Sequence, residues 1–121
     1  MRATRVFANL HVKDIAKAKE FYRDFLGLDV EGLDLGWVVR LSTPDGRAVV
    51  QLVTRDATAS EDAVVSVAVG GDVDLAYEEA VRREYEIVHP LTDEPWGLRR
   101  FFVRAPDGNV INVTGHSEDR S

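Results

Sequence analysis

Residues 94–116 read Glu-Pro-Trp-Gly-Leu-Arg-Arg-Phe-Phe-Val-Arg-Ala-Pro-Asp-Gly-Asn-Val-Ile-Asn-Val-Thr-Gly-His, and this stretch decides the fold. Two runs rich in β-branched and aromatic residues, 98–104 and 109–114, flank Ala105-Pro106-Asp107-Gly108. Pro106 presets φ, Asp107 can bond its own backbone, and Gly108 tolerates positive φ, so the spacing predicts a β-hairpin. Its entry is a corner at residues 94–97 carrying the large aromatic Trp96. A weaker copy lies at 36–54, where runs 37–42 and 47–54 flank Thr43-Pro44-Asp45-Gly46.

Working outward, the same programme occurs twice. Residues 4–12 alternate as a strand, with Val6, Ala8, Leu10 and Val12 on one face and Phe7, Asn9 and His11 on the other. Asp14 caps a predicted helix to about Leu26, with Ile15, Ala18, Phe21, Tyr22, Phe25 and Leu26 as its buried stripe and Gly27 as its stop. A short strand at 28–32 then leads into the first hairpin. Residues 55–62 are poor in apolar side chains and read as a linker. After them come a strand at 63–69, a helix from Asp72 to about Glu84, a strand at 86–90 and the final hairpin. Asp14 and Asp72 are 58 residues apart, Pro44 and Pro106 are 62 apart, and the excess is the longer corner at Trp96. The fold class read here is α+β: two tandem βαβββ modules, 4–54 and 63–116, in one domain of 121 residues. The modules are expected to form a curved mixed sheet around a groove, with helices outside.

Composition narrows the function classes. Apolar residues make up 45% and charged residues 30%, as in ordinary globular domains. A net charge of −6 argues against a nucleic-acid partner. No apolar run approaches the roughly 18 residues of a membrane span, and no signal-peptide core is visible, so no membrane association and a cytoplasmic location are expected. Cysteine is absent, which removes disulfides, thiolate nucleophiles and cysteine metal sites. The tail, 117–121, is polar.

The strings Val-Lys-Asp-Ile-Ala-Lys-Ala-Lys-Glu-Phe-Tyr-Arg-Asp-Phe-Leu-Gly-Leu at 12–28 and Ala-Pro-Asp-Gly-Asn-Val-Ile-Asn-Val at 105–113 resemble the vicinal oxygen chelate superfamily. That superfamily includes glyoxalase, bleomycin-resistance, fosfomycin-resistance and extradiol dioxygenase proteins. The resemblance runs from about Val6 to His116. It implies a metal ligand on the first and last strand of each module, at Phe7, Gln51 (or Val50), Val65 and Asn112. Phenylalanine and valine offer no lone pair, and two neutral amides do not replace a His/carboxylate set. No cofactor and no divalent metal are therefore expected.

The resemblance also points Arg100 and Phe102 into the groove, with Trp96 at its entrance. An aromatic platform with one guanidinium suits a flat or acidic small molecule. In the bland alternative, Trp96 and Phe102 are core and Arg100 reaches solvent. Asn9, Gln51 and Asn112 need partners if buried, from one another, water or a ligand. His11 is a weak catalytic candidate as a general base. His89 and His116 read as rim or surface residues. The expected ligand-binding set is Phe7, Asn9, His11, Gln51, Val65, Trp96, Arg100, Phe102 and Asn112. Two functions remain open. One is a small-molecule binding protein of the drug-resistance or sequestration type, taking an aromatic or amphipathic ligand. The other is a glyoxalase-like lyase, isomerase or dioxygenase with a displaced metal or metal-free acid–base chemistry. The resemblance further implies a homodimer.

Overall fold

The computed structural model describes residues 1–117; the polar tail beyond Ser117 lies outside the described residues. The elements are β1 (Arg5–His11), α1 (Ile15–Lys19) continuing as a π-helical segment (Glu20–Phe25), β2 (Val30–Asp34), β3 (Val38–Ser42) and β4 (Val49–Val53). After the connection come β5 (Val65–Ala68), a 3-10 turn (Gly70–Asp72), α2 (Val73–Arg82), β6 (Ile87–Asp93), β7 (Leu98–Arg104) and β8 (Val110–His116). These are two βαβββ modules in tandem, the α+β architecture that the repeat predicts. By contact the chain divides into two compact units, Phe7–Thr58 and a second made of Met1–Val6 with Ala59–Ser121.

In the first unit the strands run in the order β2-β3-β4-β1, with β1 parallel to β4 and the other pairs antiparallel. The Lys17 N–H donates to Asp14 Oδ1 at 3.1 Å, the capping bond expected of an aspartate one residue before a helix. Ile15, Ala18 and Tyr22 pack on Val39, Leu41 and Leu52, with Leu10, Val12, Leu28 and Val50 around them.

The helical stripe is narrower than the sequence pattern suggests. Phe21 is 51% exposed and Phe25 74%, and Leu26 is also exposed. The cause is visible in the backbone: the Leu26 N–H reaches the Phe21 carbonyl at 3.0 Å, five residues back, so the last turn is π-helical. Phe21 and Phe25 then stack on each other at 5.4 Å instead of entering the core. Phe21→Ala is accordingly expected to cost less than about 1 kcal/mol in urea denaturation, not the 3–5 of a core phenylalanine.

In the second unit the order is β5-β8-β7-β6, again with one parallel pair, β5 and β8. Both hairpin turns use the predicted chemistry. Asp107 Oδ1 accepts from the Asn109 N–H at 2.9 Å, Asp45 Oδ1 accepts from the Arg47 N–H at 3.0 Å, and Gly108 has φ 94°. Asp72 occupies the cap position of α2 but makes no side-chain capping bond. On the helix side, Val69, Val73, Ala76, Ala80 and Phe101 form the core cluster. Opposite it, Ala59 and Ala63 bury themselves against Phe102 and Val110, so the end of the expected linker is packed structure.

Gly115 is required by close approach. A Cβ there would overlap the carbonyl oxygen of Gly70, which is backbone and cannot swing away. Gly115→Ala is expected to lower stability by about 1–3 kcal/mol. Gly32→Ala meets nothing nearer than 3.8 Å and is the near-neutral control in the same thermal melts.

Candidate functional site

Strand register sorts the expected site residues onto faces. In the first unit Asn9 pairs with Gln51 and Gln51 with Arg40, which makes one row across three strands. Gln51 Nε2 donates to Asn9 Oδ1 at 2.7 Å, and Arg40 donates to Gln51 Oε1 from Nε and Nη2 at 3.1 and 2.9 Å. The Arg40 guanidinium also lies 4.7 Å above the Phe7 ring. Phe7, Asn9 and Gln51 therefore share one side of their sheet, opposite the helix-covered core. His11 lies at the strand end, paired with Val53 and exposed.

In the second unit a row of four crosses the sheet: His89, Phe102, Asn112 and Ser66. A second row, Thr92, Arg100, Thr114 and Ala68, lies beside it. Val65 is one residue out of step. It pairs with Ile111, and strand alternation puts it on the helix-facing side, while Ser66 stands beside Asn112. Counting back from Asp72 misses this because the 3-10 turn Gly70–Asp72 intervenes, a turn absent before α1.

The centre of this face is charged and closed. Arg100 Nε donates to Glu94 Oε2 at 2.6 Å, and His89 Nε2 lies 3.1 Å from the same oxygen. All three residues are buried, with Arg100 4% and Glu94 5% exposed. The guanidinium sits 4.8 Å from the Phe102 ring and 5.0 Å from Trp96, which holds it between two aromatic faces. His89 meets the edge of Phe102 at 5.4 Å. Arg100 is thus already matched by a carboxylate and is no ready anion grip, and His89 belongs to the interior of the site, not its rim. Phe102 is the covered floor of the stack, and half-buried Trp96 is its accessible part.

Two atoms here are left over. Asn112 Nδ2 donates to Ser66 Oγ at 3.0 Å, yet Asn112 Oδ1 and, in the next row, Thr114 Oγ1 are enclosed without any hydrogen-bond partner. Buried polar atoms are paired in the large majority of cases, so these two are exceptions among the buried groups of this face.

The metal that the resemblance implies does not fit these residues. The row positions hold Asn9 and Gln51 in one unit and Ser66 and Asn112 in the other, all neutral donors. Gln51 Oε1 is already engaged by Arg40, whose fixed positive charge would repel a divalent cation there. Among the described residues no three His, Cys, Asp or Glu side chains are grouped to hold a metal ion.

Tandem βαβββ units, each with a helix on one sheet face and a polar–aromatic row on the other, define the class of protein. Comparison then gives the family. The family model of the glyoxalase/bleomycin resistance protein/dioxygenase superfamily matches residues 5–113, and the chain belongs to that superfamily. Among solved structures it is similar to an NAD-dependent benzaldehyde dehydrogenase from Legionella pneumophila, at 19% identity and TM-score 0.74, covering 93% of this chain and 100% of that one. It is also similar to a superfamily member from Vibrio splendidus 12B01, at 20% identity and TM-score 0.68, covering 92% and 97%. A third likeness is to methylmalonyl-CoA epimerase from Mycobacterium tuberculosis, at 19% identity and TM-score 0.69, covering 95% and 89%. At these identities the likeness concerns the fold. No curated protein matches the chain. No helix among the described residues is long and apolar enough to cross a membrane.

Proposed function

We propose that this superfamily member binds a small aromatic or amphipathic molecule, in the manner of a drug-resistance or sequestration protein, without the usual metal. The observation that carries the reading is the pair of enclosed, unpartnered atoms, Asn112 Oδ1 and Thr114 Oγ1, beside the Trp96–Arg100–Phe102 stack. Asn112 Oδ1 accepts only, so the ligand brings it an N–H or O–H. Because Glu94 balances Arg100, the ligand is neutral where it meets this face. Benzamide, flat and neutral with an amide N–H, is a suitable first probe. Its titration should move the Asn112 side-chain amide and the Trp96 indole N–H resonances together and saturably. Trp96→Ala should weaken binding roughly two- to tenfold through the lost stacking, with a melting temperature lowered by only a few degrees. Unmoved resonances across aromatic N–H and O–H probes, or Trp96→Ala with a large stability loss and unchanged affinity, would contradict the reading.

An enzymatic reading has one observation in its favour, the buried His89–Glu94 contact at 3.1 Å. A histidine held by a carboxylate is a recurrent acid–base arrangement, and His89 replaces the exposed His11 as its candidate. His89→Gln abolishing turnover of a bound substrate while leaving its affinity intact would favour this reading; unaltered turnover would end it.

We also propose a homodimer, supported by the exposed pair Phe21 and Phe25, whose rings meet at 5.4 Å, with exposed Leu26 next in sequence on the first unit. Light scattering should give twice the chain mass, and Phe25→Glu should return it to one.

A further inference from the structure

We infer that the second unit holds another small-molecule site, on the sheet face opposite the Trp96–Arg100 stack, for a neutral, flat, apolar ligand. A cavity of about 470 Å³ lies between α2 and its sheet. That volume falls within the roughly 300–1,000 Å³ of small-molecule pockets and is too small to seat a folded partner. Its walls are Val67 and Val113 of the sheet, the ring of Phe101, and Ala76 and Ala80 of α2.

The internal repeat explains why space opens here. The 58-residue offset that relates Asp14 to Asp72 also relates Ile15 to Val73, Ala18 to Ala76 and Tyr22 to Ala80. In the first unit Tyr22 packs over the sheet core. At the sequence position that this offset relates to Tyr22 the second unit has alanine, and the aromatic rings on this side, Tyr77 against Phe101 and Tyr85 on the cavity wall, leave the space over Ala80 open. The remaining walls fit a ring of that kind. Phe101, 1% exposed, is the covered floor of the cavity, with Tyr77 set edge-on to it at 5.1 Å.

Charge decides against an ionic ligand. The charged side chains lining the cavity are Glu79 and Arg83, and they are joined to each other at 2.5 Å. A neutral apolar molecule leaves that pair intact and gains by burial of its own surface.

Naphthalene is the probe, because it has no N–H or O–H and cannot satisfy the unpartnered atoms of the opposite face. Titrated into the full chain, it should saturably shift the methyl resonances of Val67, Ile111 and Val113 while leaving the Asn112 side-chain amide in place. Ala80→Tyr, which restores the first unit's residue, should weaken binding about tenfold or more by filling the space. Should that variant fail to fold, Val113→Phe fills the same space from the sheet and should have the same effect. Absence of saturable shifts, shifts confined to Leu26 and its neighbours, or full affinity in a folded filled variant would overturn the inference. So would shifts at Val67 and Val113 that follow protein concentration without naphthalene, which would make the occupant a second copy of the chain. None of these results depends on whether benzamide binds at Asn112.

Discussion

Glu94→Ala should lower the unfolding free energy by about 3–5 kcal/mol, the usual consequence of removing one member of a buried ion pair. Its side chain is almost fully enclosed, and one carboxylate oxygen serves both Arg100 at 2.6 Å and His89 at 3.1 Å. The substitution takes that anion away from a guanidinium that is itself 4% exposed. Backbone bonds of the same residue hold the corner, from the Glu94 N–H to the Leu98 carbonyl and from the Gly97 N–H to the Glu94 carbonyl, and these survive the change. The loss therefore reports the side chain. Glu94→Gln keeps the shape and removes the charge, so its cost should fall between wild type and alanine. Urea denaturation with an unchanged slope is the measurement. A loss below about 1 kcal/mol would mean that the Arg100 charge is solvated and the stack is open to water.

Phe101→Ala should cost about as much, 3–5 kcal/mol, for a different reason. Phe101 is 1% exposed at the centre of the helix-side cluster, between Val69, Val73, Ala76 and Ala80. Two neighbouring α2 residues are alanines and cannot swing in to fill the gap, so the void persists and the cost should lie toward the upper end of the range. The comparison with Phe21→Ala is instructive, since both are phenylalanines in regular structure and only one is enclosed.

The parts legible from sequence were those whose causes are local. The Asp14 cap and the Asp45 and Asp107 turns each depend on bonds spanning two or three residues, and each forms as its residue types dictate. The alternation that puts Phe7 and Asn9 on one side of β1 is equally local, whereas the choice of Gln51 over Val50 needs the pairing of β4 with β1. Apolar spacing predicts Phe21 and Phe25 in the core, but a π-turn changes helical phase without altering the spacing that periodicity counts. His89 escaped for a related reason. Between β6 and β7 the register shifts on both sides of His89, so parity counted along the strand does not tell which face it occupies. Nothing local marks Glu94, since only the fold brings its carboxylate to Arg100 and His89. The relation of Val65 to Ser66 is a single-residue slip, which in a strand exchanges one face for the other.

The claim on which the account turns is that the polar rows of this superfamily member receive an organic ligand and not a metal. Native mass spectrometry of freshly purified protein, incubated with equimolar zinc, manganese, nickel and iron(II) and then desalted, tests it most directly. Chains without bound metal are expected, because Gln51 Oε1 is engaged by Arg40, Asn9, Ser66 and Asn112 offer only amide and hydroxyl groups, and no three His, Cys, Asp or Glu side chains are grouped among the described residues. One divalent ion retained per chain, and lost in Gln51→Ala or Asn112→Ala, would contradict it.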